Sequence, residues 1–230
     1  VLIDAAQHKI GEPIGISIVS FFLDISGFTT ATRDMDEYKM FEFLTVFFNP
    51  IVEKMSEFQT FEFDKFIGDC LMGRFTGPAA KSDFLAALRF IMNMKMANEW
   101  RIGASFGPAI VGTFGKGKKS HTSIGAPVNI SSRLEQAGKN YGLRILLEEE
   151  LVRDSIGFAD DIQFVSWTRV RGLDAKLKLY TLLTMEERDK CEVGFIDDID
   201  SLQRNPDMVL DPNKYKSLWW KQLCQDLSNK

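Results

Sequence analysis

The sequence predicts a mixed α/β (α+β) domain, with an antiparallel-rich sheet flanked by helices. Three observations predict it. Short apolar runs rich in β-branched and aromatic residues alternate with longer stretches whose apolar positions recur at helical spacing. Several runs come in pairs separated by glycine turns, as antiparallel neighbours are. At 230 residues and 45% hydrophobic, the chain can bury one sizeable core.

Residues 14–23, IGISIVSFFL, read as a buried strand. Asp24 closes it, Ser26-Gly27 turns the chain, and a polar stretch runs from Thr29 to Asp36. Over residues 38–58, Phe41, Leu44, Phe47, Phe48, Ile51, Val52 and Met55 mark a long amphipathic helix. Residues 61–66 and 70–75 are strand-like, and Ile67-Gly68-Asp69 between them predicts a hairpin. A second amphipathic helix is expected over 82–97, with Phe84, Leu85, Leu88, Ile91 and Met92 inward. Residues 101–106 and 109–114 read as two strands broken by Gly107-Pro108. A Gly/Lys turn over 115–120 and a short strand at 121–124 follow. The next helix should begin near Pro127 and stop just before Gly138. Residues 143–147, 162–170 and 176–183 complete the strands. Beyond about 186 the periodicity weakens. Asp197, Asp198, Asp200, Pro206 and Pro212 suggest a loop-rich tail, with a short docking helix around Leu218, Trp219, Trp220 and Leu223. The expected organisation is one domain over 1–185 and an extension of unassigned role over 186–230.

Net charge is −4 and no basic stripe dominates, which argues against a nucleic-acid partner. Lys116, Lys118 and Lys119 lie in a Gly-rich stretch and read as a solvated turn. Cys70, Cys191 and Cys224 form no C-x-x-C pair, so neither zinc nor a disulfide framework is indicated. A reducing, cytoplasmic setting is expected. No apolar run approaches the roughly 20 residues a bilayer span requires. The chain opens on Val and carries no signal-peptide pattern, so it reads as an excised domain with a regulatory or sensor region upstream.

Two carboxylates stand where a strand ends and where a hairpin turns: Asp24 and Asp69. Converging, they could hold one hard cation together with substrate phosphates. Singly, each has a plainer role, Asp24 as a helix cap and Asp69 as a turn residue. The helix start near Gly27 to Thr30 would offer backbone N–H groups to phosphate. Asn129 and Arg133 lie four apart and share a helix face; an Arg there could stabilise developing negative charge, or simply be solvated. By strand alternation Lys65 would share a face with Phe63, as a ligand contact or as a snorkelling side chain.

Together these segments resemble the class III adenylate and guanylate cyclase catalytic domains. FFLDISGFTT (21–30) resembles the family's first metal motif, and KFIGDCLMGRF (65–75) the hairpin with its second metal Asp. RIGASFGPAIVGTFG (101–115) resembles its Gly-Pro strand pair, and HTSIGAPVNISSRLEQAGK (121–139) its interface strand and helix. The likeness spans about 15–183. It implies a ferredoxin-like core that dimerises head to tail, with active sites shared between protomers. It implies two Mg²⁺ or Mn²⁺ ions per site, held by Asp24, Asp69 and the Ile25 carbonyl. Phe28 and Thr29 would lie against substrate, Lys65 and Thr122 of the partner protomer would read the base, Asn129 would orient the ribose, and Arg133 would face the reacting phosphate. Arg171, with Lys176 next, matches the family's triphosphate-tail cation.

A donor-only Lys suits adenine N1 and Thr can accept from the 6-amino group, whereas the family's guanylate cyclases typically carry Glu and Cys there. The implied activity is therefore adenylate cyclase, making cyclic AMP and pyrophosphate from ATP. A guanylate cyclase and a catalytically silent regulatory module are the alternatives. The four residues that degenerate members usually lose from, Asp24, Asp69, Asn129 and Arg133, are all present. Three departures stand out: only 25 residues (76–100) separate Phe75 from Arg101, Pro127 stands where Thr is common, and the spacing to Arg171 is off by about one residue.

Overall fold

The computed structural model describes residues 12–96, 99–115, 119–155, 159–169 and 176–228. Its centre is β1 (Ile14–Ile25), whose continuous buried run over 18–23 suits a strand covered on both faces. β3 (Cys70–Thr76) and β4 (Trp100–Phe114) flank it, both antiparallel. β2 (Phe61–Ile67) forms the predicted hairpin with β3, and Gly68 supplies the positive φ of 63° that the two-residue turn needs. β5 (Ser120–Gly125) pairs back onto the second half of β4. β6 (Ile145–Glu148) runs parallel to the first half of β4, and β8 (Lys176–Leu182) and β7 (Ile162–Arg169) extend that edge. The strand order is β2-β3-β1-β4-β6-β8-β7, with β5 off this path. This is the expected mixed, antiparallel-rich sheet.

Helices cover both faces. α1 (Phe28–Ala31) is a single turn after β1, and α2 (Glu37–Ser56) follows, capped by Asp36, whose carboxylate accepts from the Lys39 amide at 2.9 Å. α3 (Ala80–Met92) joins α2 on the face that presents Phe21; the Phe21 and Phe84 ring centroids lie 5.6 Å apart. α4 (Ala126–Tyr141) lies on the opposite face, directly over Gly103 of β4. A Cβ at Gly103 would sit 2.1 Å from the Glu135 amide nitrogen and 2.3 Å from the Ser131 carbonyl oxygen. Glycine there is what lets the helix backbone touch the sheet. α5 (Glu149–Val152) is one turn beside β6.

The structure corrects the predicted elements at four places. β4 is continuous through Gly107-Pro108, which pair with Ile18 and Ser17 of β1. Proline needs only an unpaired edge for its missing N–H, and β4 has one between the residues that meet β6 (102–104) and those that meet β5 (109–114). α3 stops at Met92 rather than 97, because the Asn93 side-chain amide takes the Arg89 carbonyl at 2.7 Å and the last turn tightens. Gly138 lies inside α4, where a Cβ would press on the Leu143 carbonyl at 2.9 Å; the left-handed cap is Gly142, φ 66°. The tail is helical rather than loop-rich: α6 (Met185–Asp189), α7 (Phe195–Arg204) and α8 (Leu218–Ser228). Phe195, Ile199 and Leu202 form an inward stripe that the acidic residues between them hid. The docking helix is where Trp219 and Trp220 indicated, both buried, and the Trp219 indole N–H donates to the Val165 carbonyl at 3.0 Å. These tail residues belong to the same hydrophobic core as β1 and α3.

Candidate active site

Asp24, next to last in β1, is in register with Cys70 on β3 and Arg101 on β4, so the three side chains share the α4 face of the sheet. Asp69 is the second residue of the hairpin turn. Its carbonyl accepts the Ile25 amide at 3.4 Å, which ties the turn to the end of β1. The result is a cleft of about 530 Å³ bordered by Asp24, Asp69, Cys70, Arg101, Glu135 and Lys139. The two predicted carboxylates do converge. Asp24 caps no helix; the residue before α1 is Gly27.

Arg101 organises the cleft. Its guanidinium donates to Asp24 at 3.1 Å, to the Ser26 hydroxyl at 2.8 Å and to Glu135 at 3.3 Å. Burial outweighs that cation at Asp24, and Glu135 and Asp69 add repulsion, so its pKa is raised to about 6. Burial likewise raises Glu135, against the pull of Arg101. Cys70 is pushed up to about 12 by burial and then by Asp24, Glu135 and Asp69. The cleft also offers hard carboxylate oxygens, the donor type Mg²⁺ and Mn²⁺ prefer. Among the described residues no group of three His, Cys, Asp or Glu side chains could hold an ion unaided.

Lys65 and Thr122 meet elsewhere, around Asp64. The Thr122 hydroxyl donates to the Asp64 carboxylate at 2.9 Å, and the Lys65 ammonium lies 3.4 Å from it and 3.5 Å from the Ser120 hydroxyl. The expected shared face of Lys65 and Phe63 is corrected. A bulge at Asp64 pairs Phe63 with Gly73 but Lys65 with Met72, which puts them on opposite faces. Asn129 is exposed and Arg133 half-buried on α4. Neither borders the Asp24–Asp69 cleft, and neither side chain has a hydrogen bond or ion pair among the described residues. Phe28 packs on Phe43, with ring centroids 6.0 Å apart, and Thr29 is exposed; no side chain caps α1, so its first amides remain free to bind. Arg171 falls outside the described residues, as do Lys116 and Lys118, while Lys176 begins β8.

Sequence reasoning missed Arg101, Glu135, Asp64 and Arg74. Two carried a readable signal: Arg74 interrupts an apolar strand, and Glu135 falls on the inward stripe of α4 beside Leu134. A charge in either place must find a partner.

The model of the adenylate and guanylate cyclase catalytic domain matches residues 14–183. The chain belongs to that family. Among curated relatives, this cyclase domain is 29% identical over 198 residues to the terminal-differentiation-specific adenylate cyclase of Dictyostelium discoideum, covering 79% of this chain and 9% of that protein. It is 28% identical over 177 residues to an adenylate cyclase of Anabaena cylindrica, covering 69% of this chain and 35% of that one. The domain thus spans only a minor part of these relatives. Among solved structures, the adenylyl cyclase CyaB from P. aeruginosa superposes with a TM-score of 0.60 at 25% identity, over 75% of this chain and 96% of that one. A guanylyl cyclase, Cya2, shares the fold at a TM-score of 0.58 and 17% identity, over 76% and 94% of the chains. No described helix of the cyclase domain is long and apolar enough to cross a membrane.

Proposed function

We propose that this cyclase domain is an adenylate cyclase that works as a homodimer, each active site built from both protomers. The observation that carries the reading is a division of labour. One chain holds its carboxylates in one cleft, its base-reading pair around Asp64, and its Asn129 and Arg133 along an unpartnered stretch of α4. A second copy laid head to tail supplies each half-site with what it lacks.

In this reading the ATP ribose 3′-oxygen attacks the α-phosphorus and pyrophosphate leaves. Asp24 and Asp69, with the Ile25 carbonyl, would hold Mg²⁺ or Mn²⁺, two ions per site, which neutralise phosphate charge and ease loss of the 3′-hydroxyl proton. Arg101 keeps Asp24 in place and presents its guanidinium to the same cleft. The free amides of α1, beside Phe28 and Thr29, face incoming phosphate. Across the interface, Arg133 stabilises charge building on the phosphate and Asn129 positions the ribose. Lys65 donates to adenine N1 and Thr122 accepts from the 6-amino group. Arg171, or else Lys176, binds the end of the triphosphate. ATP supply and three unpaired cysteines favour a cytoplasmic setting, and the longer relatives favour a regulatory region elsewhere in the protein.

The test mixes two dead variants. Asp69→Ala and Arg133→Ala should each lose more than about 100-fold in cyclic AMP formation, the scale for a lost charge-stabilising group. Mixed, half the dimers are heterodimers with one intact site of two, so roughly a quarter of wild-type activity should return. A mixture as inactive as its parents would overturn the shared site. Preference for GTP in the wild type would overturn the base assignment.

A further inference from the structure

Asp64 is the bulged residue of β2, and the bulge turns its carboxylate inward until the side chain is fully buried. Arg74 faces it from β3, with only 1% of its side chain exposed, donating to Asp64 Oδ2 at 2.9 Å and to the Ser123 hydroxyl at 3.1 Å. Glu62 holds the other side of the guanidinium, accepting from Arg74 Nε at 3.0 Å. The Ser123 amide also donates to Asp64 Oδ2, at 3.2 Å. Arg74 and the β5 backbone thus both hold the carboxylate through that oxygen. The Thr122 hydroxyl lies 2.9 Å from both carboxylate oxygens, and the Lys65 ammonium 3.4 Å from Oδ1.

A carboxylate can only accept, and a threonine hydroxyl has one hydrogen. Once that hydrogen is given to Asp64, Thr122 has only lone pairs to offer a ligand. We infer that the buried Asp64–Arg74 pair is a positioning device for base specificity: it holds the Thr122 hydroxyl as an obligate acceptor, which fits the 6-amino group of adenine and rejects a 6-oxo purine. This rests on the adenylate reading above and adds the residues that would enforce it. Asp64 also anchors the Lys65 ammonium, so both base-reading groups are set from one carboxylate. Arg74 and the Ser123 amide hold that carboxylate in place.

The experiment compares ATP, GTP and the 6-unsubstituted purine riboside triphosphate, by kcat/KM and by competitive displacement of a fluorescent ATP analogue. The unsubstituted purine keeps N1 as acceptor and lacks only the amino group. In the wild type, ATP should be favoured over it about tenfold, the value of one good hydrogen bond. Asp64→Asn leaves an amide oxygen for Arg74 and turns its NH₂ toward Thr122, which frees the hydroxyl to donate. The tenfold preference should then shrink to about twofold or less, and GTP should gain relative to ATP. Thr122→Val should abolish the preference without helping GTP, and Thr122→Ser should keep it. If Asp64→Asn does not fold, Asp64→Asn/Arg74→Met, which removes both buried charges together, carries the same comparison. Asp64→Asn retaining the wild-type ATP preference would overturn the inference. A wild type that favours GTP would instead overturn the adenylate reading beneath it, so the two failures are distinguishable.

Discussion

At the scale of residues, the cleft is built on competition between burial and charge. Asp24 is held near Arg101, yet burial and two neighbouring carboxylates win, raising its pKa to about 6. The folded protein therefore binds this proton more tightly than the unfolded chain does. The corresponding stability is present at low pH and is lost as pH rises through about 6. A divalent cation reverses the preference, because it needs the carboxylate ionised. A carbon-NMR titration of the side-chain carboxyls should find Asp24 with a midpoint near 6, falling when Mg²⁺ is added. A midpoint in the ordinary aspartate range, unmoved by Mg²⁺, would remove Asp24 from the metal site. Asp69→Ala should abolish the Mg²⁺ effect with little change in stability, since its side chain makes no hydrogen bond or ion pair among the described residues.

At the scale of elements, α4 decides the geometry. It contributes Glu135 to the cleft and carries Asn129 and Arg133, so its height above the sheet sets all three. Gly103 sets that height. Gly103→Ala would drive a methyl into the α4 backbone and should cost about 3 kcal/mol, the upper end for overpacking, with turnover falling further than stability alone explains. Urea unfolding and cyclic AMP assays on the same preparation check both halves. The far end of α4 is braced by the tail: Tyr141 donates to Asp226 of α8, and Leu218 packs over Gly142. Trp219→Ala should therefore destabilise by roughly 3–5 kcal/mol, with the loss of a buried indole and its hydrogen bond to Val165. An unfolding midpoint that did not move would mean the tail is not part of the folding unit.

At the scale of the whole molecule, the expected consequence is a concentration-dependent enzyme. A site divided between two chains is absent from the monomer, so specific activity should climb with protein concentration and level off as dimers saturate. Sedimentation across the same range should show the dimer appearing in step. Constant specific activity down to concentrations where only monomer sediments would rule out a shared site. Exposed Phe63, Phe66, Ile67, Ile110 and Ile124 line the region around the hairpins, apolar surface that a lone chain leaves in water.

Much of this was legible in the order of residues. The strand runs, the two-residue hairpin and the amphipathic α2 follow from local rules of period and turn chemistry, and these need no knowledge of distant neighbours. The ordered motifs around Asp24, Asp69, Asn129 and Arg133 pointed to the family by their resemblance to its cyclase domains. What stayed hidden depended on contacts between segments far apart in the chain. Pro108 sits in an unbroken strand because the sheet has a free edge there. Gly138 packs instead of capping, because β4 and Leu143 lie against it. Asp64 turns inward because β2 carries a bulge, and its partners Arg74 and Thr122 lie 10 and 58 residues away. Sequence alone determined the family and most of the strands, because these are written in ordered motifs and local pattern. Tertiary structure alone decided which charges meet, which hydroxyl is held as an acceptor, and which groups a single chain leaves apart, because Coulomb and hydrogen-bond energies depend on distances that only the folded sheet fixes.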